Sequence, residues 1–212
     1  MSITFEKEYE GLLINQRNNN ECPKLFVSAI PVGELDKWVD VVPTREKKGA
    51  VQRMLSIAHV RSIKNYIDAS PNNIIPTAIT IAIPEGGYKS IPINNPAKLT
   101  IKVENGNKPG LLIDGQHRLA GLLATNSDIP LLCTIILGAN DLERALNFVV
   151  INNKAKRVPN DLVKAIVSEL EPHQMDDFKN RITAIGLALG DYHNAVKILF
   201  LSEALQGSHQ TA

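Results

Sequence analysis

The sequence "LLIDGQHRLAGLL", residues 111–123, combines a sharp turn with cationic residue types in an arrangement suited to binding an anion. An apolar, strand-like run ends at Asp114-Gly115, and a helical pattern with His117 and Arg118 in its first turn begins at once. A helix dipole places about half a positive charge at that end and opposes cations there. The same end carries backbone N–H groups that lack helical partners and can cradle a phosphate. The motif therefore predicts a site for negatively charged oxygen at the helix start.

Each residue of this turn has a predicted role in such a site. Gly115 can take the positive φ that the turn needs, and Gln116 contributes an N–H group. His117 and Arg118 are expected to lie outside the buried side of the helix and to reach the space above the strand end. That buried side is expected to consist of Leu119, Leu122 and Leu123.

Asp114 is open to three interpretations. It caps the helix and pairs with Arg118 while a neutral His117 packs at the surface, or it is a cap that orients Arg118, or it binds a magnesium ion attached to the phosphates. If the site is catalytic, Asp114, His117 and Arg118 form its reactive set. His117 would then transfer protons and Arg118 would stabilise charge.

Further candidates for contacts with phosphate or DNA lie outside this motif. Gln52 and Arg53 either assist a phosphate clamp, because a guanidinium suits bidentate contact with an oxyanion, or Arg53 is an ordinary surface arginine. His59 and Arg61 either line the same cleft or flank a helix, and Asn152 either hydrogen-bonds a nucleobase or ends a helix. Two basic clusters either contact the DNA backbone or form solvated faces. They are Arg45, Lys47, Lys48 and Arg61, and then Lys154, Lys156 and Arg157.

Composition excludes several classes of protein. The formal net charge of +1 at pH 7 gives no global argument for nucleic acid or a membrane, and 44% hydrophobic residues is an ordinary globular value. Because no signal-peptide pattern and no spanning apolar run occurs, we expect a cytoplasmic protein without membrane contact. Cys133 is expected to be a buried thiol, unpaired with Cys22. No metal-binding, serine-hydrolase or P-loop motif is present, and we expect no metal site.

Hydrophobic periodicity predicts a mixed α/β core over about residues 24–150, followed by helices. Strands are predicted at "KLFVSAI", "TAITIAI", "KLTIKV", "GLLI" and "IPLLCTIIL", with "YKSIPI" as a return strand. Asn105-Gly106 predicts a hairpin between "KLTIKV" and "GLLI". A helix capped by Ser56 is expected to place Ile57, Val60, Ile63 and Ile67 on one face. Further helices are predicted at "DLERALNFVVI", after Pro159 and around Gly190.

The sequence "IDGQHRLAGL" resembles the signature of the DGQHR-domain proteins, which include the DndB family of DNA phosphorothioation systems. The resemblance extends over about residues 25–165 and includes "KKGAVQRMLSIAHVRSIKNYI", "PTAITIAI", "IPLLCTIIL" and the element "FVVIN" with the basic residues after it. It implies a ParB/sulfiredoxin-like mixed sheet with flanking helices over residues 1–157 and an all-helical C-terminal extension over residues 158–212. Sulfiredoxin has a catalytic cysteine in the equivalent turn, where this sequence has Gln116, so sulfiredoxin chemistry is excluded.

The resemblance implies a regulatory component of a DNA-modification or phage-defence system that binds nucleotide phosphate, DNA or both. The alternative is a ParB-like NTP hydrolase or phosphotransferase that uses the same cleft with a nucleoside triphosphate and Mg²⁺. A nuclease is less well supported, because no metal-binding carboxylate set is visible. The C-terminal helices are expected to cover the core, form a homo-oligomer interface or contact DNA. The chain ends at "GSHQTA" without a clear cap, which indicates a short family member or a truncated chain.

Overall fold

The computed structural model describes residues 3–17, 23–41, 55–89, 95–125, 128–153 and 174–178. The strands are β1 (Ile3–Ile14), β2 (Lys24–Pro31), β3 (Val39–Asp40), β4 (Ile79–Ile83), β5 (Ala97–Glu104), β6 (Gly110–Asp114) and β7 (Pro130–Leu137). The helices are α1 (Val32–Trp38), α2 (Ile57–Ala69), α3 (Gln116–Leu123) and α4 (Asp141–Asn153), and residues 174–178 are also helical. This mixture of strands and helices confirms the predicted α/β class, while the ParB/sulfiredoxin likeness stays a prediction.

The chain divides into two compact units. The first comprises Met1–Val42 and Gln52–Asn140, and the second comprises Pro43–Val51 and Asp141–Ala212. All seven strands and helices α1 to α3 therefore belong to the first unit, and α4 belongs to the second. The predicted domain boundary at residue 157 and the predicted helix after Pro159 lie outside the described residues.

A single mixed sheet organises the first unit. Its seven strands lie in the order β3-β6-β4-β7-β2-β1-β5. The pairs β3/β6 and β4/β7 are parallel, and the other neighbouring strands are antiparallel. Strand β4 lies between β6 and β7, and its apolar run "ITIAI" is almost entirely buried, as expected for a central strand.

The core follows from alternation of apolar and polar residues along the outer strands. In β5, Ala97, Leu99, Ile101 and Val103 are buried, while the residues between them are exposed or half-buried. In α1, Trp38 is fully buried, and its Nε1–H donates a hydrogen bond to the hydroxyl of Tyr9 at 3.1 Å. The indole therefore enters the core with its polar group satisfied.

The predicted hairpin at Asn105-Gly106 is only half correct. The turn forms, with φ of 52° at Asn105 and 76° at Gly106, and the Asn107 N–H donates to the Glu104 carbonyl at 2.9 Å. The strands on either side do not pair, because β5 lies beside β1 whereas β6 lies between β3 and β4. The turn sequence determines only the local chain reversal, and β1 takes the place beside β5 that the hairpin would have filled.

Pairing with β1 explains why β5 does not lie beside β6. Eight residue pairs join β1 to β5, and two cross-strand ion pairs reinforce them. Lys98 Nζ lies 2.8 Å from Glu8 Oε1, and Lys102 Nζ lies 3.0 Å from Glu6 Oε1. Of the predicted return strand, Tyr88 bridges to Ile101, and residues 90–94 lie outside the described part.

Two apolar residues lie differently from the prediction. Ile57 is 73% exposed and Leu123 is 38% exposed, although both were expected on buried faces. Each lies in a terminal turn of its helix. Leu119 and Leu122 are buried as predicted.

Candidate functional site

Gly115 forms the turn between β6 and α3. Its φ is 103° and its ψ is 15°, a left-handed conformation that favours glycine. A Cβ atom at this position would lie 2.3 Å from Cγ2 of Ile79, so β4 leaves no space for a side chain. The predicted sharp turn is confirmed. The N-cap Gly115 has no side chain that could cap α3, and no side chain among the described residues accepts a hydrogen bond from the N–H groups of its first turn.

Arg118 is held at the starts of strand β4 and helix α3. Its Nη1 donates to the Thr77 carbonyl at 3.1 Å, to the Thr77 hydroxyl at 3.0 Å and to the Ala78 carbonyl. Its Nη2 donates to Oδ2 of Asp114. Asp114 therefore neutralises Arg118, in agreement with one interpretation of the sequence, but it does not cap α3, whose N-cap is Gly115.

His117 joins the start of α3 to the start of α2. Its Nε2 accepts a hydrogen bond from the backbone N–H of Ser56 at 2.9 Å, which places the ring proton on Nδ1. Its ring meets the ring of His59 edge-on, with centroids 5.2 Å apart. Burial, followed by the proximity of His59, lowers the pKa of His117 below its usual value, although Asp114 acts in the opposite direction. The imidazole is therefore neutral at pH 7.

These contacts resolve the electrostatic conflict at the start of α3. The helix dipole opposes cations in the first turn. His117 is uncharged there, and Arg118 has its charge balanced by the carboxylate of Asp114. The positive ends of two helices remain, because Ser56 is the N-cap of α2 and contacts His117 in the first turn of α3.

Gly121 allows α2 to approach α3 closely. A Cβ atom on Gly121 would lie 2.6 Å from Cγ2 of Ile63 and 3.2 Å from the carbonyl oxygen of Val60. The backbone of α3 at Gly121 therefore packs directly against the Ile63 side chain of α2. At the starts of the two helices, His117 connects them through its hydrogen bond with Ser56. The starts of α2 and α3 therefore lie side by side in the first unit.

Comparison with known families identifies the chain. Residues 17–161 match the family described as DndB, DNA-sulfur modification-associated, and this range includes Gly115, His117 and Arg118. The chain belongs to the DndB family. The DGQHR resemblance seen in the sequence is thereby confirmed at the level of the family. No curated protein matches the chain.

Only three of the remaining predicted site residues of this DndB-family chain lie within the described part of the structure. Gln116 is buried at the start of α3, with 7% exposure, and Arg61 is exposed on α2. Asn152 lies in α4, in the second unit. The other candidates lie outside the described residues: Gln52, Arg53, Arg45, Lys47, Lys48, Lys154, Lys156 and Arg157. All these assignments to phosphate or DNA stay predictions.

Sequence reasoning missed the partners of the motif. Thr77 and the Ser56 N–H were not expected to contact Arg118 and His117. Both partners lie in segments that belong to the family resemblance, "PTAITIAI" and "MLSIAHV", but a segment of sequence does not show which distant residue it contacts.

Cys133 is a buried thiol, as predicted. Burial raises its pKa to about 12.

Within the described ranges, no group of three or more histidine, cysteine, aspartate or glutamate residues is arranged to hold a metal ion. The described helices include none with the length and apolarity needed to cross a bilayer. A cavity of about 600 Å³ lies along β5 and contains none of the predicted site residues. It is lined by the two turns at Gly86 and Asn105, with Tyr88, Lys102 and Lys108.

Proposed function

We propose that this DndB-family chain is a non-catalytic, regulatory component of DNA-sulfur modification that binds a phosphate group where α2 and α3 begin. The phosphate belongs to DNA, and the protein acts within a DNA-modification and phage-defence system. One observation carries the proposal: the N-cap of α2 lies against the first turn of α3, through the hydrogen bond from Ser56 to His117.

Two adjacent helix starts favour an anion more strongly than one. Each contributes a positive dipole end. At α2 the Ser56 hydroxyl already accepts the N–H of His59, so the uncapped N–H groups come mainly from the first turn of α3. Here the α3 end has no side-chain cap, and the nearby carboxylate, Asp114, is already paired with Arg118. A phosphate oxygen would relieve the repulsion between the two ends and bind without displacing an existing carboxylate from the N–H groups.

The contacts of the reactive side chains favour binding over phosphoryl transfer. A general base needs a free lone pair, but Nε2 of His117 already accepts the Ser56 N–H. Charge stabilisation needs a guanidinium directed at the substrate, but Arg118 is directed at Asp114, Thr77 and Ala78. Hydrolysis of a nucleoside triphosphate with Mg²⁺ would require both side chains to leave these partners.

Backbone NMR tests the phosphate site directly. The full chain, labelled with ¹⁵N, is titrated separately with inorganic phosphate, ATP, CTP, GTP and a duplex. We expect the amide signals of Gly115, Gln116 and His117 to shift with the duplex, while the amide of Gly106, in the turn between β5 and β6, stays in place. The proposal fails if the duplex leaves the amides of α3 unchanged. Release of orthophosphate from a triphosphate in the presence of Mg²⁺ would favour the enzyme instead.

A further inference from the structure

We infer that the outward face of α2 lies in the major groove of duplex DNA and reads base edges through Arg61 and Asn65. This inference rests on the proposed function, because it takes the DNA whose phosphate binds at the helix starts and identifies the surface that continues along the same duplex. It adds sequence recognition to a contact that by itself would be independent of sequence.

The exposure of α2 is the first observation. None of its thirteen residues is buried. The apolar residues Val60, Ile63 and Ile67 are half-buried, and Gly121 of α3 contacts this side. The opposite side of the helix is exposed along its length. A helix held along one side and free along the other can enter a groove without unfolding any part of the first unit.

The exposed side of α2 carries small and hydrogen-bonding side chains, which are suited to the major groove of DNA. Ala58, Ser62, Asn65 and Ala69 lie along one line of the helix, at spacings of three and four residues, and Arg61 lies beside that line. The small side chains let the helix backbone approach the floor of the groove. An arginine can donate two hydrogen bonds to guanine, and an asparagine can make two to adenine.

The dimensions of α2 also match those of the major groove. A helix of thirteen residues is about 20 Å long, with a diameter of about 10–12 Å including side chains. The major groove of B-DNA is about 12 Å wide. Because the N-cap Ser56 is at the phosphate site, Arg61 and Asn65 follow in the next turns of the same helix. A helix whose start contacts the backbone and whose next turns meet base edges is a recurrent DNA-binding arrangement.

Charge favours DNA as the partner. Asp68 on α2 is paired with Lys64, whereas Arg61 has no acidic partner among the described residues. From Thr44 to Lys64 the sequence has six basic residues, Arg45, Lys47, Lys48, Arg53, Arg61 and Lys64, against one acid, Glu46. The helix thus follows a basic stretch of chain and presents no net negative charge on its free side. This distribution complements a polyanion.

Duplex binding by single variants tests the inference. The full chain is titrated against fluorescent duplexes, first a pool with a randomised centre and then the sequence that the wild type enriches from it. We expect Arg61→Ala and Asn65→Ala each to raise the Kd for the enriched duplex about tenfold to one hundredfold. The Kd for the unselected pool should rise much less for Asn65→Ala, since this side chain carries no charge. Lys98→Ala removes an exposed lysine from β5 and should leave both Kd values unchanged.

The two proposals can fail separately. If the α3 amides shift with duplex but the α2 variants retain wild-type Kd values, base reading by α2 is wrong and the phosphate site stands. If the α2 variants weaken binding while the α3 amides do not move, the phosphate site is wrong. If the wild type enriches no sequence, α2 does not read bases, and if it binds no duplex at physiological salt, both proposals fail. Circular dichroism of each variant shows that loss of binding is not loss of fold.

Discussion

Replacing Arg118 with alanine should destabilise the first unit substantially. The change removes the donors to Asp114 and to the oxygens of Thr77 and Ala78. Losing one partner of a buried ion pair costs about 3–5 kcal/mol, and one hydrogen bond to a charged group contributes about 1.5–3 kcal/mol. The side chains of Arg118 and Asp114 are 20% and 34% exposed, so water partly solvates the groups left behind. We therefore expect the free energy of unfolding to fall by about 3 kcal/mol, at the lower end of the range for buried ion pairs.

Urea unfolding followed by tryptophan fluorescence measures this loss. The chain has a single tryptophan, Trp38, which is fully buried in the first unit and reports on its unfolding. Arg61→Ala is the matched control, because the same side chain is lost from an exposed position and should change the free energy of unfolding by less than about 0.5 kcal/mol. Combining Arg118→Ala with Asp114→Asn should destabilise the protein by clearly less than the sum of the two single changes.

Two results would refute the structural role of Arg118. The first is a loss of less than about 1 kcal/mol in the Arg118→Ala variant, within the range of exposed ion pairs. The second is additivity of the Arg118 and Asp114 changes, which would mean that the two side chains do not act together. Either result would return Arg118 to the set of side chains available to a bound phosphate.

Three further predictions follow from the same region and the core. Because the folded protein lowers the pKa of His117, the unfolded chain binds more protons below about pH 6.5, so the free energy of unfolding should fall as the pH drops below that value. In His117→Gln this decline should be smaller; an unchanged pH profile from urea titrations would contradict it. Gly121→Ala should lower the melting temperature, because its Cβ would lie 2.6 Å from Ile63, and adding Ile63→Ala should restore part of the loss. In a Cys22→Ser background, Cys133 should react with a thiol reagent only after denaturation, since it is fully buried; rapid reaction of the native protein would disprove this.

Sequence reasoning succeeded where the physical cause acts over a few residues. The left-handed turn at Gly115, the cap at Ser56 and the buried alternation of β5 depend on backbone sterics and on neighbouring side chains. Those causes are visible in the amino-acid order. The strands predicted at "KLFVSAI" and "IPLLCTIIL" are present as β2 and β7 for the same reason.

Failures occurred where two distant segments compete for one place. The Asn105-Gly106 turn formed, but β1, which is not among the predicted strands, took the position beside β5. A turn acts on a few residues, whereas eight cross-strand pairs and two ion pairs act along a whole strand. Strand partners therefore follow from the sum of long-range contacts.

The amino-acid sequence by itself determined that a glycine turn starts α3 with a histidine and an arginine, and that the chain resembles DGQHR-domain proteins. Only the tertiary structure decided what those two side chains contact. Arg118 contacts Thr77, 41 residues away, and His117 contacts Ser56, 61 residues away. The charge state of a histidine depends on its burial and its neighbours, which exist only after folding. The tertiary structure therefore converts two apparent cations into a neutral ring and a paired guanidinium, and it brings a second helix start beside the first.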